Sequence, residues 1–281
     1  MNKIREYLKN IHPTRAGKFF YYCLPYRKKV VLNNMRRVFD KTLSEKEIVY
    51  LAQCFYSHLA TSLKENLMMR FMSQEDIMAK AEVVGHEKVI EIAKKHAGLL
   101  ILTGHFGNWE FAPIAGILSF KQFKGHFYFI RKMLSPKFLE RMIFKRYYLS
   151  GLNVIPKKNS LTQVCDVLER NESNAVVFVM DQYANLPKDG VLVDFFGEKA
   201  GTYRSLATIA RYTNIPVIPA ASYRKPDGKH VLAFYDPITW EPSSEGHHAE
   251  ICQNTRLYNQ ALEQLILAHP EQWLWTHKRW K

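Results

Sequence analysis

Disulfide chemistry has little to work with in this sequence. Its four cysteines, Cys23, Cys54, Cys165 and Cys252, stand far apart and form no CxxC pair. That spacing speaks against a zinc ribbon or a disulfide framework and fits a reducing compartment. Long apolar runs are missing as well: none approaches the roughly 18 residues needed to span a bilayer. No secretory signal is evident, so the folded body is expected on the cytoplasmic side. There is no Walker-type GxxxxGKS, no internal repeat and no low-complexity tract, which removes the usual nucleotide-binding signals. His86-Glu87 lacks the second histidine of HExxH, and no metal site is expected. Acidic residues are in the minority, 26 against 40 Lys+Arg, a net charge of +14. The imbalance favours an anionic partner: a membrane surface, an acidic carrier protein or nucleic acid. No recognisable nucleic-acid motif accompanies the charge, so nucleic acid is not expected.

The chain is long and apolar enough to bury a substantial core, with 281 residues of which 47% are hydrophobic and 13% aromatic. One large α/β domain, or such a domain with a small helical extension, fits. Residues 1–40 carry ten Lys/Arg against Glu6 and Asp40, around the cluster Phe19-Phe20-Tyr21-Tyr22. Aromatics flanked by cations suit a bilayer interface; the alternative is that the rings pack on the main domain. Ser44-x-x-Glu47 is a capping-box start. Ile48, Leu51, Phe55, Leu59 and Leu63 follow at helical spacing to about Leu67, a stripe read as core. Further helices are expected over 85–97, from Ser135-Pro136, from a Ser160 cap to Arg170, to about Tyr212, and over 249–268. Strands are expected at 98–103, 125–130, 153–156, 175–180, 215–220 and 230–235.

The most informative stretch is Gly98-Leu99-Leu100-Ile101-Leu102-Thr103-Gly104-His105-Phe106-Gly107-Asn108-Trp109-Glu110. A wholly apolar run reads as a buried parallel strand, and Trp109 to Leu118 reads as a helix. In open α/β sheets chemistry sits outside the carboxyl ends of the strands, where His105 arrives. Imidazole titrates near neutrality and can take a proton from a hydroxyl; a carboxylate on its far nitrogen would fix the tautomer. His105 and Glu110 are thus a candidate acid/base pair, with a strand-end histidine bonded to backbone as the plainer alternative. Ala175 to Met180 repeats the layout, ending in Asp181-Gln182, where a loop-capping aspartate is again the alternative.

The hexapeptide His105-Phe106-Gly107-Asn108-Trp109-Glu110 resembles the His-x4-Glu/Asp signature of the lysophospholipid acyltransferase superfamily, and in full its lipid A late acyltransferase branch. Arg131, Asp181-Gln182, Phe195-Phe196-Gly197 through Ala207, and the terminal Pro270 to Lys281 resemble the same family in the same order. The resemblance implies an α/β domain with a mixed central sheet flanked by helices. An N-terminal helical, membrane-facing segment over 1–70 would precede an acyltransferase core over 71–281. It implies transfer of an acyl chain from an acyl carrier protein or coenzyme A thioester to a hydroxyl of a lipid A precursor or similar glycolipid, peripherally at the cytoplasmic face of the bacterial inner membrane. No other cofactor and no metal is implied. His105 would be the base and Glu110 its orienting partner. Asn108, Arg131, Asp181, Gln182, Arg146 and Thr202 would bind substrates, Arg131 through phosphate. The oxyanion donors are expected among the amides of residues 104–108 or in a nearby arginine. Many relatives carry a spanning N-terminal helix, which is not expected here, and a threonine-rich run where this chain has Gly201-Thr202-Tyr203-Arg204.

Overall fold

The computed structural model describes residues 2–24, 26–131, 145–170 and 172–281. Helices α1 (Asn2–Lys9), α2 (Arg15–Cys23), α3 (Lys28–Phe39) and α4 (Glu45–Met68) come first. The Ser44 hydroxyl accepts from the Glu47 amide while the Ser44 amide donates to the Glu47 carboxylate at 2.7 Å, so the capping box starts α4 as its sequence requires. Ile48, Leu51 and Phe55 are buried, and Leu59 packs against the core. The stripe does not run to its end, because Leu63 is 55% exposed. Leu67, Met68 and Phe71, the last 91% exposed, continue this apolar surface, and Phe19, Tyr22, Leu24 and Tyr26 are exposed on and just after α2. Among the described residues no helix is long and apolar enough to cross a membrane.

The core sheet has seven strands in the order β1-β9-β8-β2-β5-β3-β4. They are β1 (Ala81–Val84), β2 (Gly98–Thr103), β3 (Phe127–Arg131), β4 (Leu152–Pro156), β5 (Asn174–Val179), β8 (Val217–Arg224) and β9 (His230–Phe234). All neighbours are parallel except β8 and β9, so the sheet is mixed. The central strands are apolar throughout because both of their faces are covered. Leu100, Leu102, Val176 and Phe178 pack on the side of α4 and the long α11 (His247–Ala268). Leu99, Ile101, Ala175 and Val177 pack on the side of α6 (His86–Lys95) and α7 (Phe111–Ser119). Among the described residues the other α-helices are α5 (Gln74–Ala79), α8 (Lys145–Leu149), α9 (Ser160–Glu169) and α10 (Ser205–Thr213). Asn159, not Ser160, holds the N-cap position of α9. The helix expected from Ser135-Pro136 falls outside the described residues.

A separate hairpin, β6 (Gly190–Phe195) and β7 (Glu198–Tyr203), was not foreseen. It turns at Phe196-Gly197, both with positive φ, +54° and +78°. That turn needs a left-handed residue at each position. Phenylalanine is poor there, so half of the usual signal is missing from the sequence.

The candidate active site

Parallel register brings the first two residues together. Thr103 at the end of β2 is paired with Val179 at the end of β5. Two residues further on, His105 and Asp181 therefore arrive level, outside the carboxyl edge of the sheet. His105 Nδ1–H donates to Asp181 Oδ1 at 2.9 Å, and the His105 backbone N–H donates to Oδ2 at 2.8 Å. The indole N–H of Trp273 donates to Oδ2 as well, at 2.8 Å. Asp181 is 2% exposed. Burial alone would raise its pKa, but the adjacent imidazole and these donors outweigh burial and hold it below the usual carboxylate range. His105 shows the reciprocal balance: burial opposes its charging, while Asp181, with a smaller contribution from Glu110, raises its pKa overall. Since an ionised carboxylate only accepts, Nδ1 carries the proton and Nε2 is left as the basic nitrogen.

The loop carrying His105 is fastened from three sides. Gly104 lies against Asp181, where an added Cβ would come 3.0 Å from the carboxylate carbon. Gly107 has φ +54°, and a Cβ there would sit 2.5 Å from the Ser222 carbonyl oxygen, so only glycine fits. The C-terminal segment runs alongside: Gly107 N–H donates to the Gln272 carbonyl at 2.8 Å and Leu274 N–H to the His105 carbonyl at 3.1 Å. Trp273 and Trp275 are buried and help to close the core. Behind the loop, the Arg224 guanidinium forks onto Glu65, with Nε at 2.8 Å. Its Nη1 donates to His58 Nδ1 at 3.0 Å, and His58 Nε2–H donates to the Gly107 carbonyl at 3.0 Å. Nothing local in the sequence marked this network, whose members come from α4 and β8.

His105 opens onto a cavity of about 490 Å³. Its polar lining includes His105, Trp109, Glu110, Arg131, Tyr147 and Gln182. Most of the lining is apolar, with Ile101, Ile117, Phe127, Val177, Leu232 and Phe234 from the sheet and α7. Such a chamber suits a hydrocarbon chain with its polar end at the rim. Glu110 makes its side-chain bond with the Tyr147 hydroxyl, which donates, and sits in the field of Arg131 and His105. Burial nevertheless pushes its pKa up, as it does for Tyr147.

The carboxylate on His105 Nδ1 is thus that of Asp181, where Glu110 was expected. Gln182 and Arg131 line the cavity as well. Asn108 is buried outside the lining; its Oδ1 accepts from the Phe111 amide at 3.1 Å and its Nδ2 donates to Glu65 at 2.9 Å, so it starts α7 and ties it to α4. Thr202 is also buried away from the cavity, accepting from Arg279 at 2.6 Å and Asn259 at 3.1 Å. Arg146 lies on α8, but its side chain falls outside the described residues. Three of the loop amides expected to face an oxyanion have protein acceptors: Asp181 for His105, the Gly104 carbonyl for Phe106 and the Gln272 carbonyl for Gly107. Among the described residues no group of three or more His, Cys, Asp or Glu is placed to hold a metal ion.

Known proteins match this chain along nearly all of its length. The family model for bacterial lipid A biosynthesis acyltransferases matches residues 7–281. The lipid A biosynthesis lauroyltransferase of Escherichia coli (strain K12) is 24% identical over 266 residues, covering 94% of this chain and 82% of that protein. The lipid A biosynthesis palmitoleoyltransferase of the same strain is 22% identical over 271 residues, covering 95% and 83%. The phosphatidylinositol mannoside acyltransferase of Mycobacterium tuberculosis (strain ATCC 25618 / H37Rv) is 27% identical over 185 residues, covering 65% and 54%. With a histidine–aspartate pair outside the sheet, a largely apolar cavity beside it and a family match over almost every residue, the chain belongs to the bacterial lipid A biosynthesis acyltransferase family, and it is an acyltransferase.

Proposed function

We propose that this enzyme moves a fatty acyl chain from an acyl carrier protein thioester to a hydroxyl of a lipid A precursor or a similar glycolipid at a membrane surface. The observation that carries the reading is the His105–Asp181 pair at the rim of an apolar cavity. His105 Nε2 takes the proton of the acceptor hydroxyl as its oxygen attacks the thioester carbonyl carbon. The tetrahedral intermediate then breaks its C–S bond, and the imidazolium returns the proton to the departing sulfur. Asp181 holds the tautomer and stabilises the imidazolium. Glu110 adds negative potential at the rim and, with Tyr147 and Arg131, shapes the polar side of the mouth. Arg131 is suited to a phosphate of the acceptor or of the carrier's prosthetic arm.

The net charge of +14 supports an acidic carrier as donor and an anionic surface as workplace. The exposed apolar ends of α2 and α4 support a peripheral seat on the cytoplasmic leaflet of the inner membrane. Glu65 on the exposed stretch of α4 bonds Asn108, the neighbour of rim residue Trp109, so that surface lies close to the mouth. The mycobacterial relative keeps a second acceptor class, a phosphoinositide mannoside, in view.

The test is mass spectrometry of lipid A precursor incubated with acyl carrier protein thioesters and either wild type or His105→Ala. A gain of one acyl chain with wild type alone supports the reading. Equal gain with both proteins removes His105 as the base. No gain with carrier or coenzyme A thioesters on this acceptor, but gain on a mannosylated phosphoinositide, replaces the acceptor class.

A further inference from the structure

An acyl thioester under attack becomes a tetrahedral oxyanion, and that charge needs donors already in place. The loop after β2 is the obvious source, yet its amides at His105, Phe106 and Gly107 already donate at 2.8–2.9 Å to Asp181, Gly104 and Gln272. The Tyr147 hydroxyl is given to Glu110. Gln182 is placed differently. It lines the cavity, and its Nε2 lies 3.4 Å from each ring nitrogen of His105. Nδ1 is itself a donor to Asp181, so it has no lone pair for the Gln182 amide. The other contact, to Nε2, is at the long limit of a hydrogen bond, so the amide lies beside the nitrogen where the acceptor hydroxyl must sit. The residue is also well anchored, since it directly follows Asp181, whose carboxylate three donors pin.

We propose that the Gln182 carboxamide is the oxyanion donor of this enzyme, a catalytic residue acting beside the base. The inference rests on the acyl-transfer reading above. As the hydroxyl oxygen bonds to the carbonyl carbon and His105 takes its proton, the π electrons of C=O move to oxygen, and Gln182 Nε2–H donates to it. The C=O then re-forms, the C–S bond breaks, and the sulfur leaves with the proton from His105.

The experiment is single-turnover transfer by wild type, Gln182→Met and Gln182→Glu, with binding of a thioether analogue of the acyl donor measured in parallel. Methionine keeps the length without a donor; glutamate keeps the shape but puts negative charge where the oxyanion forms. Gln182→Met is expected to transfer ~10²–10³-fold more slowly, the usual loss for one oxyanion donor, with Gln182→Glu slower still. Analogue affinity should stay within ~2-fold, which also shows that the variants fold. The inference is overturned if Gln182→Met keeps a rate close to wild type, if glutamate outperforms methionine, or if the rate loss is matched by lost analogue affinity. Transfer by wild type and Gln182→Met alike sinks this inference alone. No transfer by wild type sinks the parent reading and this inference with it.

Discussion

Two histidine–carboxylate clusters lie on opposite sides of one loop, and they behave in opposite ways. In the first, His105 has a carboxylate on Nδ1 and lines the cavity, and its pKa is raised. Behind the loop, His58 is buried and stands against Arg224, which takes up the nearest carboxylate, Glu65. Burial, reinforced by that guanidinium, pushes His58 down to about 3. Proximity of a histidine to a carboxylate therefore does not make a base. What matters is which group the carboxylate answers to, and whether the second nitrogen faces open space or a carbonyl. His58 spends both nitrogens on protein partners and serves as a neutral strut.

The contrast can be broken most severely at Asp181. Asp181→Asn should remove the tautomer control of His105 and lower kcat/KM by about 10³-fold, with little effect on folding. Activity of the wild type should fall on the acid side as His105 protonates, with a midpoint above the usual imidazole value of about 6.5. In Asp181→Asn that limb should move to lower pH, because burial is then less opposed; a limb that stays put would deny the dyad. Next in size is the strut cluster. Arg224→Ala leaves Glu65 without its main counter-charge and should cost on the order of 3 kcal/mol in urea unfolding. The pH profile of whatever activity remains should be unchanged, which separates bracing from proton transfer.

Smaller effects sharpen the comparison. Leu232 lines the apolar chamber against Gly116 of α7. Leu232→Phe should shift donor competition toward shorter acyl chains, by roughly tenfold or more for each methylene that no longer fits. The smallest effect concerns acid stability. An unfolded His58 binds a proton below about 6.5, while the folded one refuses it down to about 3. Its stabilisation is thus complete above pH 6.5 and drains away as pH falls. His58→Gln should lower the melting temperature at neutral pH but flatten its decline between about pH 6.5 and 4. An unchanged slope would show that other groups govern acid unfolding.

Much of this arrangement was legible because it is local. The two apolar runs ending in Thr103-Gly104-His105 and Met180-Asp181-Gln182 announced buried strands and polar ends. That β2 and β5 are neighbours was not legible, since strand order depends on long-range packing, and so the carboxylate on His105 Nδ1 is that of Asp181 and not of Glu110. The brace was hidden for the same reason: Glu65 and Arg224 are 159 residues apart in the chain. Asn108 and Thr202 carry polar groups that suit a ligand equally well, and only packing shows them bound to Glu65 and Arg279. Leu63 fitted the helical stripe by spacing alone, because periodicity tells which face a residue shares and not how far that face stays covered.

The pairing of Trp273 with Asp181, and of Gln272 and Leu274 with the His105 loop, orders events in time as well as space. During synthesis on the ribosome, β2 and β5 emerge long before the segment that secures them. A nascent chain that has reached Arg224 holds His105, Asp181 and the brace, yet lacks the indole that fixes the carboxylate and the carbonyl that fixes Gly107. The segment from Gln272 to Leu274 is therefore the last of these parts to reach the site.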